Sequence, residues 1–326
     1  MPARDLRNLP KAHLHLHLEG AMRPITLAEM AAAYGIAVPP IRGYGSFTAF
    51  VGQYKAACDV MRTPQDLARL VREVVEDAAL AGAVWVEPQF YPMHHVERLG
   101  SPAETTDLVL EAGRAAAAEF DIGFGLMITA DRTGDPAEAE SLARLAAERA
   151  DSGVVAFGLA NDEDGFGPEP FAKAFAITNE ARLISAPHAG ELAGPTSIRG
   201  ALDLLDANRI GHGVRAIEDP DLVRRLAYEG ICLDVCPTSN VMLSVVGSMT
   251  EHPLPRLLEA GVRCSINGDD PLLFGPGLLD EYHTAREELG LDDSQLAFVA
   301  TCSIEDSGAP AELVEGAVAR IAAWLS

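Results

Sequence analysis

His13, His15, His17 and Glu19 occupy every second position of Ala12-His13-Leu14-His15-Leu16-His17-Leu18-Glu19-Gly20. That period of two reads as a strand with the imidazoles and the carboxylate on one face and leucines on the other. Two neighbouring imidazoles on one face can hold one divalent metal, whereas an edge strand would only solvate them. Buried without partners they would be costly, because each ring has two nitrogens to satisfy. Distant residues must therefore complete the coordination shell. His13 sits one pleat deeper and reads as a packed, hydrogen-bonded ring rather than a ligand.

The elements that would position such a shell follow in order. Thr26 is placed to cap a helix through Leu27, Met30 and Ala31, and a Gly- and Pro-rich loop over 35–50 leads to a second helix over 50–61. Thr63-Pro64 opens an amphipathic helix with Leu67, Leu70, Val71, Val74 and Val75 on one face, ending near Gly82. The stretch 24–82 thus reads as a helical insertion after the first strand, and insertions of that kind often form lids. Beyond it, apolar runs at 83–90, 122–129, 154–160, 183–188, 209–212, 231–236 and 262–267 read as strands, mostly separated by helical patterns. With the first strand they make eight. Alternating strands and helices require a parallel sheet, so the expectation is α/β: a (β/α)₈ TIM-type barrel, with a doubly wound open sheet as runner-up. Helices over 292–301 and 310–325 would pack outside it. No linker divides the chain, and 1–326 is read as a single domain.

In a barrel, chemistry gathers at the C-terminal strand ends. Polar residues pile up there: His15, His17 and Glu19; Asn161, Asp162 and Glu163; His188 and Glu191; His212; Asp269 and Asp270. Any one of these could be a solvated loop residue, but the whole set falls at the end where barrels do chemistry. His15, His17, His188 and Asp269 form a ligand set suited to one Zn2+ with a position left for water, whose pKa the ion would lower towards neutrality. A second metal bridged by a carboxylated lysine is not expected, since the lysines are Lys11, Lys55 and Lys173. Glu191 lies three residues past His188 and can reach a substrate beside the ion, as a general acid or base. His212, between two glycines, could position the water. Asp270 follows a ligand and must point elsewhere.

The bulk composition limits partners. The chain has 326 residues, 48% of them hydrophobic, and a formal charge of −23 that disfavours nucleic acid and anionic membranes. Five cysteines without paired close spacing suggest a reducing compartment. No apolar leader region is evident near the N-terminus and no run is long enough to span a bilayer, so a cytoplasmic protein is expected. A homo-oligomer is compatible with the sequence.

The run His15-Leu16-His17-Leu18-Glu19-Gly20, the turn His188-Ala189-Gly190-Glu191, Arg209-Ile210-Gly211-His212-Gly213, Cys236-Pro237-Thr238-Ser239-Asn240 and Asn267-Gly268-Asp269-Asp270-Pro271 together resemble the adenosine deaminase family, in the family's order. The resemblance implies a zinc barrel that replaces a purine 6-amino group by water. It implies His15, His17, His188 and Asp269 as zinc ligands, Glu191 as the acid protonating purine N1, and His212 as the stabiliser of the attacking hydroxide. Asp270 would orient the water and bond N7, and His17, Glu19, Asn161 and Asp270 would lie against substrate. Four departures bear on the substrate: Glu19 where Asp is usual, Asn161 where Gly is usual, Glu87-Pro88-Gln89-Phe90 at the second strand end, and Gly268 in place of Thr. The expected substrate is an adenosine-type nucleoside, with a 5′-modified one such as 6-aminodeoxyfutalosine slightly ahead of adenosine or 2′-deoxyadenosine. Free adenine is the alternative, and a catalytically silent binding protein a weaker one.

Overall fold

The computed structural model describes residues 4–326, so the first three residues of the N-terminal stretch read above lie outside it. Eight parallel strands form the barrel: β1 (Lys11–His17), β2 (Ala83–Phe90), β3 (Leu126–Asp131, preceded by Gly123–Phe124) and β4 (Val154–Ala160); then β5 in two pieces (Ile184–Ser185 and His188–Ala189), β6 (Arg209–His212), β7 (Cys232–Val235) and β8 (Arg263–Ile266). Each neighbour in sequence is a neighbour in space. β5 breaks between Ser185 and His188 because Pro187 has no N–H to give to a ladder. Its first piece pairs with β4 and its second with β6.

The ring closes between the last strand and the first. The N–H of Asp269 donates to the carbonyl of His15 and the N–H of His17 donates to the carbonyl of Asp269, both at 3.0 Å. Asn267 adds a side-chain clasp, its Oδ1 accepting the N–H groups of Leu14 and His15 at 2.8 and 3.0 Å. Three expected ligand positions, His15, His17 and Asp269, are thereby fixed by closure itself.

Three helices fill the stretch after β1: α1 (Pro24–Ala33), α2 (Phe47–Cys58) and α3 (Pro64–Leu80). The α3 reading holds, with Thr63 and Asp66 exchanging hydrogen bonds in a capping box and Leu67, Leu70, Val71, Val74 and Val75 all buried. Burying such side chains contributes roughly 1.5–3 kcal/mol each. Thr26 does not cap α1. That helix starts at Pro24, and the buried Thr26 hydroxyl donates to Glu73 at 2.6 Å, tying α1 to α3 instead. α2 starts at Phe47 rather than Phe50 because Ser46 caps it, accepting the N–H of Ala49.

The period-two pattern also fails at one end of the histidine run. Glu19 lies in a 3-10 turn past β1, and the β1–β2 register shifts between His13 and Leu16. His13 is buried and its Nε2 accepts the N–H of Gly268 at 3.1 Å. Below the site a polar layer crosses the barrel. Buried Arg209 donates to Glu87 at 2.8 Å and lies 3.1 Å from Asp234, while Trp85 donates to Glu87 and Ser265 to Asp234, both at 2.7 Å. A buried charge is tolerable only when opposite charges lie against it, as Glu87 and Asp234 do here.

Candidate metal centre and active site

His15 and His17 leave the end of β1, His188 begins the second piece of β5, and Asp269 follows β8. The Nδ1 of His15 lies 3.1 Å from the carbonyl of Asp234, and that of His188 lies 3.0 Å from the carbonyl of Leu159. A carbonyl only accepts, so each ring carries its proton on Nδ1 and keeps Nε2 bare. Both Nε2 atoms are buried without a hydrogen-bond partner. The Nε2 atoms of His15 and His17 lie 3.4 and 3.3 Å from one oxygen of Asp269, and one ligand atom each from His15, His17 and His188 fits within 4.8 Å of the others. Bare imidazole nitrogens facing a carboxylate are a donor set for a divalent metal. Cys236 lies beside the same cluster, and burial pushes its thiol well up.

Asp269 is held in a left-handed conformation at φ +58°, unusual outside glycine, by the two closure hydrogen bonds. Burial raises its pKa, but His15 and His17 outweigh that and leave it well below the usual carboxylate range. Its second oxygen accepts the Ser239 hydroxyl at 2.5 Å.

A cavity of about 750 Å³ opens over this cluster, lined by His17, His188, Glu191, His212, Asp269 and Asp270 on the barrel side. Phe47, Phe50, Val51, Tyr54 and Lys55 of α2 cover it from above. Glu191 is buried and lies 3.5 Å from His212 Nε2. Burial, with Asp269, Glu163 and Asp270 nearby, raises its pKa well above the usual value. Asp270 is raised well above its usual value by burial and by Asp269, and its Oδ1 has no partner. A Cβ on Gly20 would lie 1.7 Å from that oxygen, so glycine is required there.

The remaining expected contacts divide. Asn161 reaches the cavity wall at φ +82°, with its amide donating to both oxygens of Asp131 at 3.0 Å. Glu19 does not line the cavity. Its fully buried carboxylate accepts the Tyr54 hydroxyl at 2.7 Å and lies 2.6 Å from His95 Nε2, so Tyr54 stands where Glu19 was expected.

Several participants carry no role in the sequence reading. Glu163, singled out only as a strand-end acid, accepts the N–H groups of Gly190, Glu191 and Ala193 at 3.1, 3.2 and 2.9 Å and so shapes the Glu191 turn. Ser239 and Asn240 were visible as part of a motif without assigned work. Tyr54 reaches the cavity from α2, and Tyr91 and His94 from the segment after β2; none of the three stands in a motif that marks it.

The family model for adenosine deaminase matches residues 10–324. A Streptomyces coelicolor protein provisionally named adenosine/adenine deaminase is 42% identical, over 99% of this chain and 98% of its own length. Among solved structures, adenine deaminase from Arthrobacter aurescens superposes with a TM-score of 0.90 at 30% identity, over 97% of this chain and 99% of the other. An amidohydrolase from Burkholderia ambifaria with bound Zn gives 0.86 at 26%, over 98% and 90%.

Proposed function

Because the chain belongs to the adenosine deaminase family, and so is a hydrolase acting on C–N bonds of cyclic amidines, we propose that it replaces the 6-amino group of free adenine by water and releases ammonia. The observation that carries this reading is the pair of bare, buried nitrogens on His15 and His188, that of His15 lying 3.4 Å from Asp269, beneath a cavity that Glu191 and Asp270 also line. His15, His17, His188 and Asp269 would hold one Zn2+. When bound, such an ion acidifies water towards neutrality and makes it a nucleophile.

The chain's own groups supply the rest. Purine N1 and N7 are acceptors, so each needs a donor. Glu191 and Asp270, both pushed up by burial and by neighbouring acids, are carboxylic acids that can give one. Glu191 protonates N1 and thereby draws electrons from C6, while Asp270 holds N7. His212 faces the same space and orients the attacking water.

Adenine is placed ahead of a nucleoside because Glu19, at the position expected on the ribose side, is taken up by Tyr54 and His95. The second reading, an adenosine-type nucleoside including a 5′-modified one such as 6-aminodeoxyfutalosine, is favoured by Asp131 and Asn161, polar groups on the cavity wall able to meet hydroxyls. Ammonia release measured in parallel on adenine, adenosine and 6-aminodeoxyfutalosine decides between them. A kcat/KM for adenine about tenfold or more above the others supports the first reading. A nucleoside turned over best overturns it.

A further inference from the structure

His212 is held from behind by a chain of buried groups that ends on a backbone N–H. The N–H of Leu254 donates to His252 Nδ1 at 3.2 Å. His252 Nε2 lies 3.2 Å from Asn240 Oδ1, and Asn240 Nδ2 lies 3.1 Å from His212 Nδ1. All three side chains are buried, so no water competes for these positions.

Each link dictates the next. A peptide N–H can only donate, so His252 Nδ1 must be the bare nitrogen. Burial lowers the pKa of His252 to about 4, which leaves a neutral ring with its single proton on Nε2. That proton requires an acceptor, which orients the Asn240 amide with its oxygen towards His252 and its NH2 towards His212. The amide then donates to His212 Nδ1, and the only ring proton left for His212 is on Nε2. The reverse arrangement, with His212 protonated on Nδ1, would turn the amide over and set the His252 Nδ1 proton against the Leu254 N–H, with two buried donors meeting head-on.

We propose that Asn240 and His252 are positioning residues, a hydrogen-bond chain anchored on the Leu254 N–H that fixes His212 as the Nε2–H tautomer facing the active site. Its target there is the space shared with Glu191 Oε1, 3.5 Å away, and Asp269 Oδ2, 4.0 Å away. A ring that donates into this space stabilises negative charge on an attacking water oxygen. A ring presenting a bare nitrogen would repel it. Any link to turnover rests on the deaminase reading above, whereas the tautomer does not.

The test has a spectroscopic and a kinetic arm on the full-length, metal-loaded protein. With ¹⁵N-histidine labelling, the His212 signals are assigned by their loss in His212→Asn. The wild type should show a bare Nδ1 and a protonated Nε2. A protonated Nδ1 overturns the proposal whether or not any aminopurine is a substrate. Asn240→Asp replaces the amide by a group that only accepts and should move the proton to Nδ1. It should also lower kcat by about 10²-fold or more with KM little changed and the metal content intact. Full kcat in Asn240→Asp would overturn the proposal.

His252→Gln offers both an acceptor for Leu254 and a donor for Asn240. It should keep kcat within about threefold, while His252→Leu, which frees the amide to turn, should lose about tenfold or more. Equal losses in the two would mark a packing role and refute the chain. This pair decides the matter if Asn240→Asp fails to fold, as a thermal melt would reveal. No ammonia release by the wild type from any aminopurine would sink the deaminase reading alone and leave the labelling arm standing.

Discussion

The carboxylate of Glu163 accepts the backbone N–H of Glu191 at 3.2 Å, so the acid that faces the cavity is held in place by an acid that does not. The same carboxylate takes the N–H groups of Gly190 and Ala193. A turn with three inward N–H groups needs one compact multiple acceptor, and a carboxylate with its two oxygens meets that need.

Replacing Glu163 by Ala should leave those N–H groups without a partner. A stability loss on the order of 2–4 kcal/mol is expected from denaturant unfolding, with a fall in ammonia release as the Glu191 turn loosens. A loss below about 1 kcal/mol would show that water satisfies the turn instead.

Glu191→Gln keeps the size of the side chain but removes its acid. Metal content should be unchanged, while turnover falls by about 10²–10⁴-fold or more. A mild loss would refute the assignment of Glu191 as the donor to N1.

Chelation of the metal should abolish ammonia release and lower the melting temperature, because the bare nitrogens of His15 and His188 lose their partner. Added Zn2+ should restore both. A protein that is active and equally stable after exhaustive chelation, with no metal by elemental analysis, would show that the cluster is not a metal site.

Glu281 links stability to pH. It is buried against the N–H of Thr238, and burial pushes its pKa up to about 8. A folded-state pKa above the unfolded value means that the stability associated with its protonation is complete below about pH 4.5 and is lost as pH rises through about 8. Glu281→Gln should therefore be more stable than wild type at pH 8.5, on the order of 1–3 kcal/mol, and the difference should vanish towards pH 5. Parallel melting curves across that range would contradict the assignment if the two proteins kept a constant separation.

Much of the barrel was legible because its signals are local. The apolar run at Ala83–Phe90 and the cap at Thr63 depend on residues a few positions apart, and both appear as read. Thr26 misled because a hydroxyl near a helix start can cap or can reach a neighbouring helix, and only the packing of α1 on α3 decides. Glu19 misled for a related reason. Alternation placed it on the face of His15 and His17, but β1 ends at His17 and the chain turns its carboxylate to Tyr54 and His95.

The sequence by itself determined the barrel's order of elements and, through five motifs in a characteristic order, the family and its candidate ligands, because motif spacing and apolar period are properties of the chain alone. Only the tertiary structure decided which groups meet: Glu163 under the Glu191 turn, Ser239 on Asp269, Asn240 and His252 behind His212, and α2 over the cavity. A hydrogen bond joins atoms about 3 Å apart whatever their separation along the chain. Partners from different strand ends therefore have no mark in the sequence until barrel closure brings them together.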